Sequence, residues 1–217
     1  MNPERTTAAP APKSASWYKR LFATMIARES DSERHYYDDR KRALLGPLRG
    51  DVLEIGPGSG SNLPYFSPDV RWTGIEPNPA MFPYIQREAT RLGLAIHLRE
   101  GQAEQLDAAD SSIDAVVGTL VLCSVRDPEH TLQEVLRVLR PGGRFVFIEH
   151  VAAPLETGLR RLQGFVRPVW KIASDGCHPD RETWSIIEQA GFDHVQLEHF
   201  RLAVPIVGPH IAGFAVK

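Results

Sequence analysis

Three glycines follow a short apolar run in Val52-Leu-Glu-Ile-Gly-Pro-Gly-Ser-Gly60. Gly56, Gly58 and Gly60 permit a tight turn and let backbone amides approach a ligand closely. Such a loop alone does not choose the ligand, because dinucleotide-binding turns use the same device. Two details do. The spacing is G-x-G-x-G rather than G-x-G-x-x-G, and Glu54 stands just ahead of the first glycine. A carboxylate there accepts from a cationic amino group, which suits an amino-acid-bearing ligand better than a pyrophosphate. Glu76 closes a second apolar run, in Gly74-Ile-Glu-Pro-Asn-Pro79, and an acid at a strand end can receive both hydroxyls of a ribose. Gly101-Gln-Ala-Glu-Gln-Leu106 follows a third run and offers polar groups to an adenine edge. Taken singly, Glu76 is also a solvated strand-end acid and the last segment a plain turn; their order along the chain joins them.

The elements that must hold these residues alternate in type. Strand-like runs fall at 52–55, 71–75, 95–98, 113–117 and 144–148, with helical stretches between them, the pattern of βα units around a parallel sheet. Pro128 to Leu139 is the clearest helix, with Leu132, Val135, Leu136 and Leu139 on one face and Pro141-Gly142-Gly143 as its stop. Residues 152–179 read as irregular, 181–190 as a helix with Gly191 as its C-terminal cap, and 195–200 and 211–216 as closing strands. Ahead of the sheet, 17–45 reads as a broken helix. Its stripe of Trp17, Leu21, Met25, Phe22 and Ile26 suits packing over the core or active site, with a membrane-surface or partner-binding face as the alternative. The expected organisation is a disordered tail over 1–16, a helical lid over 17–47 and a doubly wound α/β domain over 48–217.

Together, Glu-x-Gly-x-Gly-x-Gly, the acid ending the second strand, Gly-x-Ala-Glu-x-Leu and Leu139-Arg-Pro-Gly-Gly143 resemble the class I S-adenosylmethionine-dependent methyltransferases. The resemblance covers roughly Leu48 to Lys217 and implies a seven-stranded, mostly parallel sheet with an antiparallel last strand. It implies S-adenosylmethionine as cofactor, with Glu54, Gly56, Gly58 and Gly60 at its methionine part and Asn62 beside them. Glu76, Pro77 and Asn78 would take the ribose. Gln102, Ala103 and Glu104 would border the adenine, with Gln102 where that family often has an acid, and Thr119 and Leu120 would complete the set. Thr119-Leu-Val-Leu-Cys-Ser-Val125, Glu149-His-Val151, Asp175-Gly-Cys177, Arg181-Glu-Thr-Trp184 and Val207-Gly-Pro-His-Ile211 are more narrowly similar to the animal thiol S-methyltransferases of the methyltransferase-like group. This implies a small-molecule thiol as acceptor; an N-, O- or C-methyltransferase acting on a lipid headgroup or quinone-like compound is the alternative. The apolar anchor ahead of the domain in those proteins is not carried over, because a polar stretch stands in its place here.

A thiol reacts as thiolate, so His150 after the fifth strand, His210 before the last, and Asp175 are the candidate catalytic residues. His35, Tyr36 and Tyr37 could close over the site. Trp17, Phe22, Phe165, Trp170 and Trp184 suggest an apolar acceptor pocket. No metal is expected, since the His and Cys spacings match no standard ligand set. Two cysteines in 217 residues imply no disulfide framework and fit a reducing cytoplasm. A net charge of −2 gives no general pull towards nucleic acid, and no run approaches the length of an integral membrane segment. The expectation is a cytoplasmic monomer.

Overall fold

The computed structural model describes residues 16–217, so the expected disordered tail lies, apart from Ser16, outside the described residues. The chain opens with helix α1 (Trp17–Leu45), whose first turn is capped by the Ser16 hydroxyl accepting from the Lys19 amide. It is continuous rather than broken. Seven strands follow: β1 (Gly50–Ile55), β2 (Val70–Glu76), β3 (Ile96–Glu100), β4 (Ile113–Thr119), β5 (Leu139–His150), β6 (His194–Arg201) and β7 (Pro209–Val216). Their spatial order is β3-β2-β1-β4-β5-β7-β6, with β1 to β5 parallel and β7 antiparallel to both neighbours. The chain therefore reverses its direction of travel across the sheet between β1 and β4. In open α/β sheets ligands bind at that switch point, outside the carboxyl ends of the strands.

Alternation along the strands sends side chains to both faces, and both are covered, as a parallel sheet requires. On one face Leu53, Ile55, Val116, Phe145 and Phe147 pack against Leu132 and Val135 of α3 (Pro128–Val138). On the other, Val52, Ala115, Val117 and Val146 pack against Ile85 and Ala89 of α2 (Phe82–Leu92) and against Ala23 and Leu45 of α1.

The segment expected to be irregular contains a helix, α4 (Gly158–Ala173), before α5 (Thr183–Gln189). Gly158, Gly164 and Pro168 are helix-breaking types and masked its pattern. Two interactions override them. The Thr157 hydroxyl accepts from the Arg160 amide, and Gln163 anchors the helix from inside the protein. Its Oε1 accepts from the Ala153 amide at 2.7 Å, while its Nε2 donates to the Ile206 carbonyl at 2.9 Å. Gln163→Ala strands both backbone groups in the interior. It should cost about 2–4 kcal/mol in urea unfolding and speed amide exchange selectively in α4.

Candidate active site

A cleft of about 1290 Å³ opens at the carboxyl ends of β1 to β4. The glycine loop is its floor. Gly56, Gly58 and Gly60 all have left-handed φ (59°, 56° and 82°), and a Cβ on Gly56 would sit 2.7 Å from Val121 Cγ2. Among the described residues, a Cβ on Gly58 would meet within 4 Å only Ile26 Cγ2, so the loop is open towards the cleft there.

Glu76 stands at the wall, only 5% exposed. Its Oε2 accepts from the Gly58 amide at 3.0 Å and its Oε1 from the Asn78 amide at 2.8 Å. Burial pushes its carboxyl up to about 7, against the opposing pull of those amides. Pro77 and Asn78 continue the wall, and Asn78 Nδ2 donates to the Lys19 carbonyl, tying the loop to α1. Gln102, Ala103 and Glu104 line the far end, where Glu104 also accepts from the Arg126 amide at 2.9 Å. Thr119 and Leu120 lie between, Leu120 with a left-handed φ of 57°.

Glu54, Gly60 and Asn62 are not on the cleft wall. Both Glu54 oxygens are occupied inside the protein, by Asn62 Nδ2 at 2.9 Å and Trp72 Nε1 at 2.8 Å. Desolvation pushes this carboxyl, too, up to about 7. Asn62 Nδ2 also reaches Thr119 Oγ1 at 2.9 Å, so Glu54 and Asn62 brace the loop from behind. Asn62 Oδ1 is buried without a partner among the described residues, leaving an acceptor beside the loop.

Of the three candidate catalytic residues, only Asp175 lines the cleft. His150 and His210 face each other across paired β5 and β7 and are 6% and 2% exposed. His210 Nδ1 lies 2.9 Å from the Gly208 carbonyl, so it carries the proton, and Nε2 accepts from the Tyr37 hydroxyl at 2.9 Å. Burial pulls its pKa down to about 4, keeping the ring neutral. Tyr37 itself lines the cleft.

His150 Nε2 is 3.0 Å from Cys177 Sγ, to which Trp170 Nε1 donates at 3.2 Å. Hydrogen bonding from Cys123, then from His150 and Trp170, holds the Cys177 thiol well below its usual range, against burial's opposing effect. The same contact with Cys177, and burial after it, raises Cys123. Folding thus joins Cys123, His150 and Cys177, distant in the chain, into a buried group whose ligand-capable atoms lie within 4.8 Å of one another. His150 Nδ1 has no partner among the described residues, whereas a metal-ligating imidazole ordinarily donates from its second nitrogen.

Sequence reasoning missed three residues. Lys41 is 4% exposed, lines the cleft and donates to Ser61 Oγ at 3.1 Å; within Asp39-Arg-Lys-Arg42 it reads as one more solvated charge. Lys19 also lines the cleft and donates to the Pro77 carbonyl at 3.2 Å. Glu149 is fully buried, and its carboxylate accepts from the amides of Val121 (2.8 Å), Leu122 (2.9 Å) and Cys123 (3.4 Å). An acid inside the apolar run Phe145-Val-Phe-Ile-Glu149 was the signal for it. Of the expected aromatic lining, Phe22 reaches the cleft. Trp170 serves Cys177, Trp184 packs on the core, and Trp17 and Phe165 point outward.

Residues 53–147 match the family model of a methyltransferase domain. The human thiol S-methyltransferase TMT1A is 37% identical over 93% of this chain and 88% of its own length. The mouse thiol S-methyltransferase TMT1B is 42% identical over 92% and 86%. The chain belongs to the S-adenosylmethionine-dependent methyltransferases. The methyltransferase also shares its fold with the YcgJ protein of Bacillus subtilis, at a TM-score of 0.67 and 18% identity over 85% of this chain and 98% of that one. S-adenosylmethionine is its methyl donor, and the cleft fits that group. Its volume, the open glycine loop, the buried acid at the end of β2 and the buried ammonium of Lys41 match a ligand with a ribose and an amino acid. In the methyltransferase, removing the Glu149 carboxylate leaves three amides of the β4 loop unpaired. Glu149→Ala should cost about 2–4 kcal/mol in urea unfolding, and Glu149→Gln, which keeps one acceptor oxygen, clearly less.

Proposed function

We propose that this methyltransferase acts on a small-molecule thiol. The observation that carries the reading is its likeness to thiol S-methyltransferases along nearly its whole length, including the segments outside the cofactor loop. S-adenosylmethionine, when bound, supplies a methyl group made electrophilic by a positively charged sulfur. The chain's own residues bind, orient and exclude water. Glu76 receives the two ribose hydroxyls, Pro77 and Asn78 flank it, and the amides of Gly56 and Gly58 bound the methionine part. Lys41 pairs with the carboxylate of that part, and Gln102, Ala103 and Glu104 border the adenine. Thr119 and Leu120 support the reacting end, with Glu54, Gly60 and Asn62 holding the loop in shape. Phe22 and Ile26 of α1 form an apolar wall that keeps water out, in the manner of a lid.

His210 is not the base. Moving a proton from a thiol of pKa near 8.5 to an imidazole held at about 4 costs roughly 6 kcal/mol. The thiolate fraction already present at neutral pH, a few per cent, costs about 2 kcal/mol. His210 instead fixes the Tyr37 hydroxyl, and His150 with Cys177 fixes the turn that presents Asp175 to the acceptor. The two unpaired cysteines suit a reducing cytoplasm, and we treat the enzyme as a monomer.

S-adenosylhomocysteine formation by the purified protein, measured on thiols, amines, phenols and carboxylates, tests the reading: selective turnover of thiols is expected, and turnover of the others alone overturns it. The pH profile of kcat/KM should rise to the acceptor's own pKa, shift downward for a more acidic aryl thiol, and keep its shape in His210→Asn. Cofactor-product affinity provides a separate check. Ribose hydroxyls donate to the ionised Glu76, whose carboxyl sits at about 7 in the free protein. Binding of S-adenosylhomocysteine should therefore expel a proton and weaken by up to about tenfold per pH unit below that point, with a plateau above it. Glu76→Gln should bind weakly with a flat profile, as read by isothermal calorimetry.

A further inference from the structure

The stripe on α1 splits in two. Phe22 and Ile26 face the cleft and core, whereas Trp17, Leu21 and Met25 face outward at 77%, 52% and 54% exposure. On α4, Leu162, Phe165, Val169 and Ile172 recur at helical spacing on one outward face, with Phe165 at 83% and Ile172 at 77%. The Tyr18 hydroxyl donates to the Ile172 carbonyl at 2.7 Å, joining the two helices. Large apolar side chains clustered outward on adjacent helices are not ordinary surface.

Charge says what covers them. α4 carries Arg160, Arg161, Arg167 and Lys171 and no acidic residue; the opening of α1, from Trp17 to Ala27, carries Lys19 and Arg20 and none either. Arg160 and Arg167 pair with Glu182 and Asp180, but Arg20, Arg161 and Lys171 are exposed. Besides those two partners, the acids flanking α4 in sequence are Glu156 and Asp175 at its ends. This basic fringe belongs to a chain of net charge −2. A two-fold contact through the patch would set Arg161 and Lys171 against themselves, which disfavours a second copy.

We propose that the outward faces of α1 and α4 form one docking surface for an anionic lipid bilayer. The apolar side chains enter the headgroup boundary and the cations meet lipid phosphates. Phe22 and Ile26 on α1, and Ser174 and Asp175 just after α4, line the cleft, so the docked face borders its mouth. An apolar acceptor dissolved in lipid would reach the cleft from that side. The docking itself does not depend on the thiol reading, because it is measured without any acceptor.

Co-sedimentation with vesicles of phosphatidylcholine mixed with phosphatidylglycerol, against phosphatidylcholine alone, tests it. The protein should pellet with the anionic vesicles, less with the neutral ones, and less again at high salt. The Phe165→Asp/Ile172→Asp double variant should lose at least about tenfold in vesicle affinity. Arg161→Glu/Lys171→Glu should lose the preference for anionic lipid. Both variants should keep the parent melting temperature and affinity for S-adenosylhomocysteine. Absence of binding to anionic vesicles, or unchanged binding in both variants, overturns the proposal. So does a dimer in size-exclusion chromatography that Phe165→Asp/Ile172→Asp converts to a monomer while vesicle binding is absent throughout.

Discussion

Three buried carboxylates hold the cleft in shape. Glu54 ends β1, Glu76 ends β2 and Glu149 lies near the end of β5, each at most 5% exposed. All three are raised to about 7, with desolvation the leading cause. Each offsets that cost by gathering donors from a neighbouring turn. Glu54 takes Asn62 and Trp72 beneath the glycine loop, Glu76 takes the Gly58 and Asn78 amides, and Glu149 takes the amides that follow β4. Loops at a sheet edge ordinarily wander, because few backbone groups there have fixed partners. Here an interior acid fixes the glycine loop and the turns after β2 and β4, so that part of the cleft is formed in the protein alone. The glycine conformations and the left-handed Leu120 are tolerated because these clamps over-determine the turns around them.

Behind the cleft lies a second layer that meets it at few points. His150, Cys177, Cys123 and Trp170 form one polar group, and His210 with Tyr37 another, separated by the β5–β7 pairing. Tyr37 and Asp175 are the points where this layer reaches the cleft wall. A layer so arranged holds the two cleft residues it reaches in position. It fits a reaction whose barrier is lowered mainly by alignment, in which a side chain displaced by an ångström matters more than one whose basicity is altered.

The sheet was legible because its signals are local. Short apolar runs punctuated by Gly and Pro marked all seven strands, and the glycine loop with Glu76 marked the switch point. What escaped depends on contacts between distant segments. α4 contains two glycines and a proline, and the residue that anchors it, Gln163, finds its partners in Ala153 and Ile206. Lys41 is a cleft residue because α1 sets it beside Ser61, twenty residues further along the chain. Glu54 illustrates the reverse. Its position beside the glycines is right for a ligand contact, yet Trp72 and Asn62, invisible to a reading of the loop alone, claim both its oxygens. His150 is suggested by its place after the fifth strand and His210 by the Gly208-Pro209 turn before the last, but neither place reveals how a ring is buried, and both are.

α1, which lines the cleft with Phe22 and Ile26, and α4, whose end leads into Ser174 and Asp175 on the cleft wall, also carry the outward apolar faces. A helix that only covered a core would have a single apolar stripe and a polar outer face. α1 has Phe22 and Ile26 on one side and Trp17, Leu21 and Met25 on another, and α4 has its buried anchor Gln163 opposite a row of exposed hydrophobics. Exposing that much apolar surface to water costs solubility unless something occupies it. No helix among the described residues is long and apolar enough to cross a membrane. The bilayer docking proposed above would occupy that surface without a spanning helix. The proposed docking face would lie beside Phe22, Ile26, Ser174 and Asp175 of the cleft, the side from which an apolar acceptor could enter.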